Sequence, residues 1–177
     1  RLGAHPVTQT FHHNTLLTQS AAVYSADKRY RYSLTRCWNA TGPGVMFLML
    51  NPSTATESQN DPTVERCERR ARALGFGSFC VTNIFAWRDT DPALMRAATD
   101  PIGPLNDQYI VQNALSHDQI VCAWGAHGNH LGRSTQVRAL ISSVNRPLYH
   151  LGKTKSGEPR HPLYISYSQQ PVLWSTF

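Results

Sequence analysis

The chain has 177 residues, of which 41% are hydrophobic and 16% charged, so it is long enough for one globular core and too short for two of ordinary size. Seventeen Lys and Arg residues against eleven Asp and Glu residues give a net charge of +6, which favours an anionic partner such as nucleic acid or a nucleotide. No apolar run approaches the roughly 18 residues that a membrane helix needs, and no signal-peptide pattern opens the chain, so we expect a cytoplasmic protein with no membrane partner.

The N-terminal region shows little hydrophobic periodicity. We expect residues 1–28 to be a loosely ordered arm and residues 29–177 to be a single α/β domain. Between Arg29 and Trp38 apolar and polar residues alternate, with Arg29, Arg31 and Ser33 on the polar side. This alternation is typical of a strand with one solvent-exposed face, and it predicts a strand at the edge of the sheet.

The stretch from Val45 to Thr63 predicts a strand, a polar loop and a helix. Six apolar residues from Val45 to Leu50 indicate a strand buried on both faces, and the turn residues 51–54 (Asn-Pro-Ser-Thr) end it. Asp61 and Pro62 are favoured at the N-cap and first position of a helix, and apolar residues then recur at helical spacing as far as Gly75.

The same alternation of strand and helix continues along the chain. Strands are predicted at 78–85, at 119–124 and from residue 147, and helices after Asp91-Pro92, at 106–117 and at 134–144. Repeated strand–helix units indicate right-handed crossovers and a mainly parallel sheet. We therefore predict a three-layer α/β/α sandwich with a central, mostly parallel sheet of about four strands, plus the N-terminal edge strand.

Four polar clusters follow the predicted strands, at residues 51–54, 83–88, 125–128 and 153–161. Parallel strands bring such ends to one edge of a sheet, where ligands bind. The sequence has no GxxxxGKS loop, GxGxxG fingerprint or GxSxG elbow, and its four cysteines have no metal-binding spacing. We expect neither a metal ion nor another cofactor. The groups present are amides, a carboxylate, a histidine and cations, which can position water, stabilise a departing anion and hold phosphates.

Six motifs between about Arg31 and Ser166 resemble an uncharacterised bacterial domain-of-unknown-function family. They are LNPSTA at 50–55, DPT at 61–63, TNIFAWR at 82–88, DPIGPLND at 100–107, WG at 124–125 and PRHPLY at 159–164. The motif order is also similar, more distantly, to the uracil-DNA glycosylase superfamily. Asn51 and Pro52 match its first loop, Asn83 its base-reading position, AWG its third turn and HPLYIS its HPS loop. Leu163 replaces the superfamily serine, and the aspartate and tyrosine of its GQDPYH loop are absent.

That second resemblance implies a uracil-DNA-glycosylase-like fold and a hydrolase that flips a base and cleaves its N-glycosidic bond, with a modified base in DNA, rather than RNA, as substrate. Such cleavage needs an activated water and stabilisation of the departing base. Two other functions remain open: a non-catalytic nucleic-acid or nucleotide-binding module, and a hydrolase of free nucleosides or nucleotides. The predicted catalytic residues are Asn51, Asp61 and His161, the base-binding residues are Pro52, Ser53, Asn83, Phe85 and Trp124, and the phosphate-binding residues are Arg88, Lys155 and Arg160.

Several of these residues also have a purely structural interpretation. Asp61 can serve only as a helix cap, and Asn51 can serve only to hold its turn. Asn83 can bond neighbouring backbone, and His161 can be an ordinary loop histidine. Aromatic residues in strands, such as Phe85 and Trp124, are more often part of the core than of a binding site.

Overall fold

A computed structural model describes residues 6–174, which form one eight-stranded mixed sheet with helices packed on it. The strand order across the sheet is β1-β2-β3-β5-β4-β6-β7-β8. The strands are β1 Thr8–Asn14, β2 Gln19–Ser25, β3 Arg31–Cys37, β4 Gly44–Met49, β5 Ser78–Asn83, β6 Gln119–Cys122, β7 Tyr149–His150 and β8 Val172–Leu173. The helices are α1 Pro62–Ala73, α2 Pro92–Ala97, α3 Asn106–Ser116 and α4 Arg133–Ser142, and a 3₁₀ segment spans Ala126–Gly132.

The predicted fold, a three-layer sandwich around four mostly parallel strands, is wrong. The sheet has eight strands, and four of its seven pairings are antiparallel: β1–β2, β2–β3, β3–β5 and β7–β8. Parallel pairing is confined to β5–β4, β4–β6 and β6–β7. The strands that the sequence did not reveal are polar or short, so they lack the apolar runs by which buried strands are identified.

In place of a loosely ordered arm, the N-terminal region contributes a β-hairpin. β1 and β2 pair along their whole length, and the turn between them is closed by a 2.8 Å hydrogen bond from the Thr15 N–H to the Thr18 carbonyl. Residues 1–5 of the predicted arm lie outside the described residues. Because β2 pairs with β3, the predicted edge strand is an interior one, and its polar side is buried: Arg31 is 1% exposed. The prediction of an exposed edge strand is therefore wrong.

Two hydrophobic cores flank β4, all six residues of which are buried. One core packs Val64, Cys67 and Ala71 of α1 against Phe47 and Phe79. The other contains Leu48 and Ile120 from the sheet together with apolar residues of α2, α3 and α4. No helix within residues 6–174 combines the length and apolar character that crossing a membrane would require.

The carboxyl ends of β4, β5 and β6 lie side by side, because the three strands are parallel neighbours. The chain leaves β4 into the loop that leads to α1, leaves β5 toward α2, and leaves β6 toward the 3₁₀ segment. Side chains from three distant parts of the sequence therefore meet at this edge of the sheet.

Candidate functional site

A pocket of about 370 Å³ opens at this edge, and seven of the eleven predicted site residues line it. Its volume falls within the range of ligand pockets. Its other polar lining residues include Arg31, Asp89 and His127, none of which was among the predicted site residues. The seven predicted residues that the fold brings together are Asn51, Pro52, Ser53, Asp61, Asn83, Trp124 and His161.

Asn51 follows the end of β4, and its amide holds two loops together. Its Nδ2 donates to the carbonyl of Asp89 at 2.8 Å and to that of Pro52 at 3.2 Å. Within residues 6–174 no donor reaches its Oδ1 atom. Asn51 thus has the structural role considered from the sequence and, in addition, an acceptor oxygen available to a water molecule or a ligand hydroxyl.

Asp61 is the N-cap of α1, as the sequence predicted, and it also lines the pocket. Its Oδ1 accepts a hydrogen bond from the Val64 N–H at 2.8 Å, and its Oδ2 accepts one from the Ala55 N–H at 3.2 Å. The second bond closes the loop between β4 and α1. Since each carboxylate oxygen can accept more than one hydrogen bond, both oxygens keep the capacity to accept one from a water or a ligand.

His161 belongs to the loop after β7, and its surroundings favour one neutral form of the ring. The Leu163 N–H donates to its Nδ1 at 3.3 Å, which places the proton of the neutral imidazole on Nε2. Burial lowers the pKa of His161 below its usual value, with a smaller opposing effect from the charge of Asp61. The ring is therefore a neutral N–H donor at the pocket.

The turn after β6 lies against this histidine. Gly125 has a φ of +75°, a conformation that residues with a side chain rarely adopt, and its N–H donates to the Pro159 carbonyl at 2.8 Å. A Cβ at Gly125 would lie 3.7 Å from Cβ of His161. The WG motif thus ties the strand end to the loop that carries His161.

Asn83 ends β5 almost fully buried, and its amide is oriented by an arginine. Arg31 Nη2 lies 3.5 Å from Oδ1 of Asn83, a weak contact. It indicates that the oxygen of this amide faces Arg31 and that Nδ2 faces away from it. No acceptor among the described residues takes a hydrogen bond from Nδ2 of Asn83, so this amide N–H₂ is free to donate to a ligand carbonyl.

Trp124 forms a rigid wall rather than a mobile stacking surface. Its Nε1 donates to Glu158 Oε2 at 2.6 Å, and Ser134 Oγ donates to the same oxygen at 2.8 Å. Gly128 packs against the indole so closely that a Cβ there would lie 2.0 Å from Cδ1 of Trp124. The glutamate therefore joins the indole to α4 and to the loop before His161.

Four predicted site residues do not line the pocket. Phe85 is a core residue with its ring 5.6 Å from that of His130. Arg88 donates to the Lys28 carbonyl at 3.1 Å. Lys155 and Arg160 are exposed in the loop after β7. The structure therefore does not bring the three predicted phosphate-binding residues together at the pocket.

Arg31 is the polar residue that sequence reasoning missed most clearly. The alternating pattern predicts a solvent-exposed face for it, because that pattern cannot show that β2 pairs with β3 and that the loop before α1 closes over Arg31. Its Nη1 donates to the Ala55 carbonyl at 2.9 Å. None of the six sequence motifs contains Arg31, so the sequence carries no signal that singles it out.

The polar groups that line the pocket can support hydrolysis. Two carboxylates, two imidazoles, two amides and a guanidinium line one pocket. In residues 6–174, no three His, Cys, Asp or Glu side chains are grouped so that they could hold a metal. Such a set can orient a water molecule on one side of a scissile bond and donate hydrogen bonds to a leaving group on the other.

Comparison with known proteins identifies a family. The model of a family described as "Protein of unknown function (DUF1643)" matches residues 31–163. No curated protein matches the chain. Among solved structures, acetyl xylan esterase 1 from Thermoanaerobacterium sp. JW/SL YS485 is similar with a TM-score of 0.41 and 9% identity, over 78% of this chain and 50% of that one.

Proposed function

We propose that this chain, which belongs to the DUF1643 family, is an N-glycosylase that removes a modified base from nucleic acid. Family membership confirms the first resemblance seen in the sequence motifs, whereas the resemblance to uracil-DNA glycosylases stays a prediction. One observation carries the proposal: Asp61, the neutral N–H donor His161 and the Nδ2 donor of Asn83 line the same pocket. Four free cysteines fit the cytoplasmic location that we expect.

The chemistry follows from the polarity of these groups. Cleavage of the bond between sugar and base develops positive charge on the sugar and negative charge on the base. Asp61 would stabilise the sugar cation and accept a proton from the attacking water, which the Oδ1 of Asn51 would orient. His161 would donate its Nε2–H to the departing base, and Asn83 would donate to a carbonyl of that base. The net charge of +6 favours a nucleic-acid substrate, and the motif resemblance to uracil-DNA glycosylases makes DNA the favoured polymer.

A second candidate is a hydrolase of free nucleosides or nucleotides. The volume of the pocket, about 370 Å³, favours it, because a site of that size can enclose a small molecule. A small substrate needs no phosphate track outside the pocket, whereas a polymer does.

The test is a base-release assay on single- and double-stranded oligonucleotides that carry uracil, modified pyrimidines or modified purines, with free nucleosides assayed in parallel. Asn51→Ala and His161→Ala should abolish release. The matched controls are Asn129→Ala and His13→Ala, which replace exposed residues that do not line the pocket.

The outcomes separate the candidates. The glycosylase is supported if bases are released from oligonucleotides and if the two pocket substitutions, but not the two controls, abolish this release. Release from nucleosides alone would support the second candidate. Tight, salt-sensitive binding of oligonucleotides without any release would contradict both and indicate the non-catalytic module.

A further inference from the structure

Arg31 stands out among the buried arginines of residues 6–174 because its guanidinium has few partners. Arg36 and Arg70 each donate to three or more oxygens, and Arg133 pairs with Asp107. Arg31 has one good hydrogen bond, to the Ala55 carbonyl, and one long contact, to Asn83. Its Nε is buried with no hydrogen-bond partner.

The positive charge of Arg31 also has no direct counter-ion. None of the ion pairs in the described part of the chain includes it. Asp61 attracts it electrostatically, but the carboxylate oxygens of Asp61 accept hydrogen bonds from backbone amides instead. A buried charge without a paired and hydrogen-bonded partner is costly, and proteins keep one mainly where a ligand completes the site.

We infer that Arg31 is the anion-binding residue of the pocket and that it stabilises negative charge on a carbonyl oxygen of the departing base. The first part concerns binding alone, and the second rests on the proposed glycosylase function. The second part restricts the substrate to lactam and imide bases, whose ring carbonyls can carry the negative charge of the released base. A base with only amino substituents offers no such oxygen.

The neighbouring groups fit a flat ring oxygen rather than a phosphate. The Nδ2 of Asn83 and the guanidinium of Arg31 are adjacent donors, because Arg31 contacts the same amide through Oδ1. Asp61 and Asp89 also line the pocket, and both would repel a phosphate group more strongly than a singly charged ring.

The reaction balances without another reactant. The bond between the sugar carbon and the base nitrogen breaks, and its electron pair stays on the base, where it spreads to the carbonyl oxygen beside Arg31. Water adds to the sugar carbon and loses a proton to Asp61. The base anion then takes up a proton from solvent and leaves as the neutral base, and Asp61 releases the proton it accepted to solvent.

The experiment measures binding of free bases to the full chain by calorimetry at one neutral pH. Two series compare compounds of similar shape and increasing acidity: uracil, 6-azauracil and barbituric acid, and separately hypoxanthine and xanthine. We expect affinity to rise with acidity, by about tenfold or more across a series, which is the effect of a charge-assisted hydrogen bond. Inorganic phosphate should bind more weakly than barbituric acid.

Arg31→Gln should abolish the rise of affinity with the acidity of the base, and Arg31→Lys should keep part of that rise. The matched control is Arg36→Gln, because Arg36 is also a buried arginine of β3 and also bonds the loop before α1 but does not line the pocket. It should keep the full dependence on acidity.

Equal affinity across each series in the unmodified protein, or no binding of any base, would overturn the inference even if Arg31→Gln fails to fold. A rise of affinity with acidity that persists in Arg31→Gln would also overturn the inference. A dependence that requires Arg31, in a protein that releases no base, would support the anion site and contradict the glycosylase function. Base release by a protein whose affinity for free bases does not rise with their acidity would support the glycosylase function and contradict the anion site.

Discussion

The backbone N–H of Leu163 lies 3.3 Å from Nδ1 of His161 and donates to it, so the tautomer of the pocket histidine is set two residues further along its own loop. This contact requires an unprotonated Nδ1. Burial acts in the same direction, because it lowers the pKa of His161. Protonation of His161 would therefore cost both a hydrogen bond and the desolvation of a charge.

We expect nuclear magnetic resonance titration to place the pKa of His161 below the ordinary value of 6.5. A lowered pKa in the folded protein determines how the free energy of unfolding changes with pH. As the pH falls through 6.5 the unfolded chain takes up a proton and the folded chain does not, so the free energy of unfolding decreases until the folded-state pKa is passed. Burial also lowers the pKa values of His117 and His150, which act in the same direction.

Denaturant unfolding at pH 7.5 and 5.5 checks this effect. The unmodified protein should lose more stability between the two pH values than His161→Gln does. The variant should keep part of the loss because His117 and His150 remain. Identical losses in both proteins would mean that His161 is not protected from protonation.

Substitutions at Asp61 separate its capping role from its proposed chemical role. Asn is also a good N-cap, so Asp61→Asn should keep the bond from the Val64 N–H and lose the one from the Ala55 N–H, because its Nδ2 cannot accept. Asp61→Ala should lose both bonds and cost more stability than Asp61→Asn, about 1 kcal/mol or more in total. Both should slow base release by about 100-fold or more if the carboxylate acts on water. Urea unfolding and single-turnover release measure the two effects, and full activity in Asp61→Asn would leave Asp61 as a cap alone.

Gly128→Ala should damage the pocket through Trp124. The new Cβ would lie 2.0 Å from the indole, so the ring must move away from Glu158. We expect a loss of about 1–3 kcal/mol in the free energy of unfolding, as for overpacking in a core, together with weaker ligand binding. Thermal unfolding and calorimetry measure both.

The control for this substitution is Gly157→Asn. Gly157 has a φ of +86° with open space around it, and Asn tolerates that conformation better than most residues. A loss of stability in Gly157→Asn as large as in Gly128→Ala would show that contact with Trp124 is not the cause.

The exposed cations after β7 should matter for a polymer and not for a small ligand. Lys155→Ala and Arg160→Ala should each weaken oligonucleotide binding and reduce the slope of log affinity against log salt by about one. Binding of a free base should not change. Fluorescence titrations at several salt concentrations measure the slope, and Arg69→Ala, an exposed cation on α1, serves as control. An equal effect of Arg69→Ala would indicate attraction by net charge alone.

Interactions that are local in sequence could be predicted from the sequence alone. The cap formed by Asp61, the buried character of β4 and the helix after Asp61 each depend on residues within a few positions of one another. The pocket is lined by Asn51 after β4, by Asn83 at the end of β5 and by His161 in the loop after β7. Their chemical roles stay predictions.

Only the tertiary structure decided which strands are neighbours and what covers them. The alternation in β3 predicts opposite faces for Arg31 and Leu34, and this is wrong. The pairing with β2 shifts register between Val23 and Tyr24, so both residues lie opposite residues of the core that packs on α1. Arg31 is buried because the loop before α1, whose Ala55 carbonyl it binds, closes over it. In the same way, Arg88 follows a strand as Asn51 does, yet it bonds the Lys28 carbonyl. Burial and pairing depend on contacts between residues far apart in the chain, and those contacts leave no trace in a local pattern.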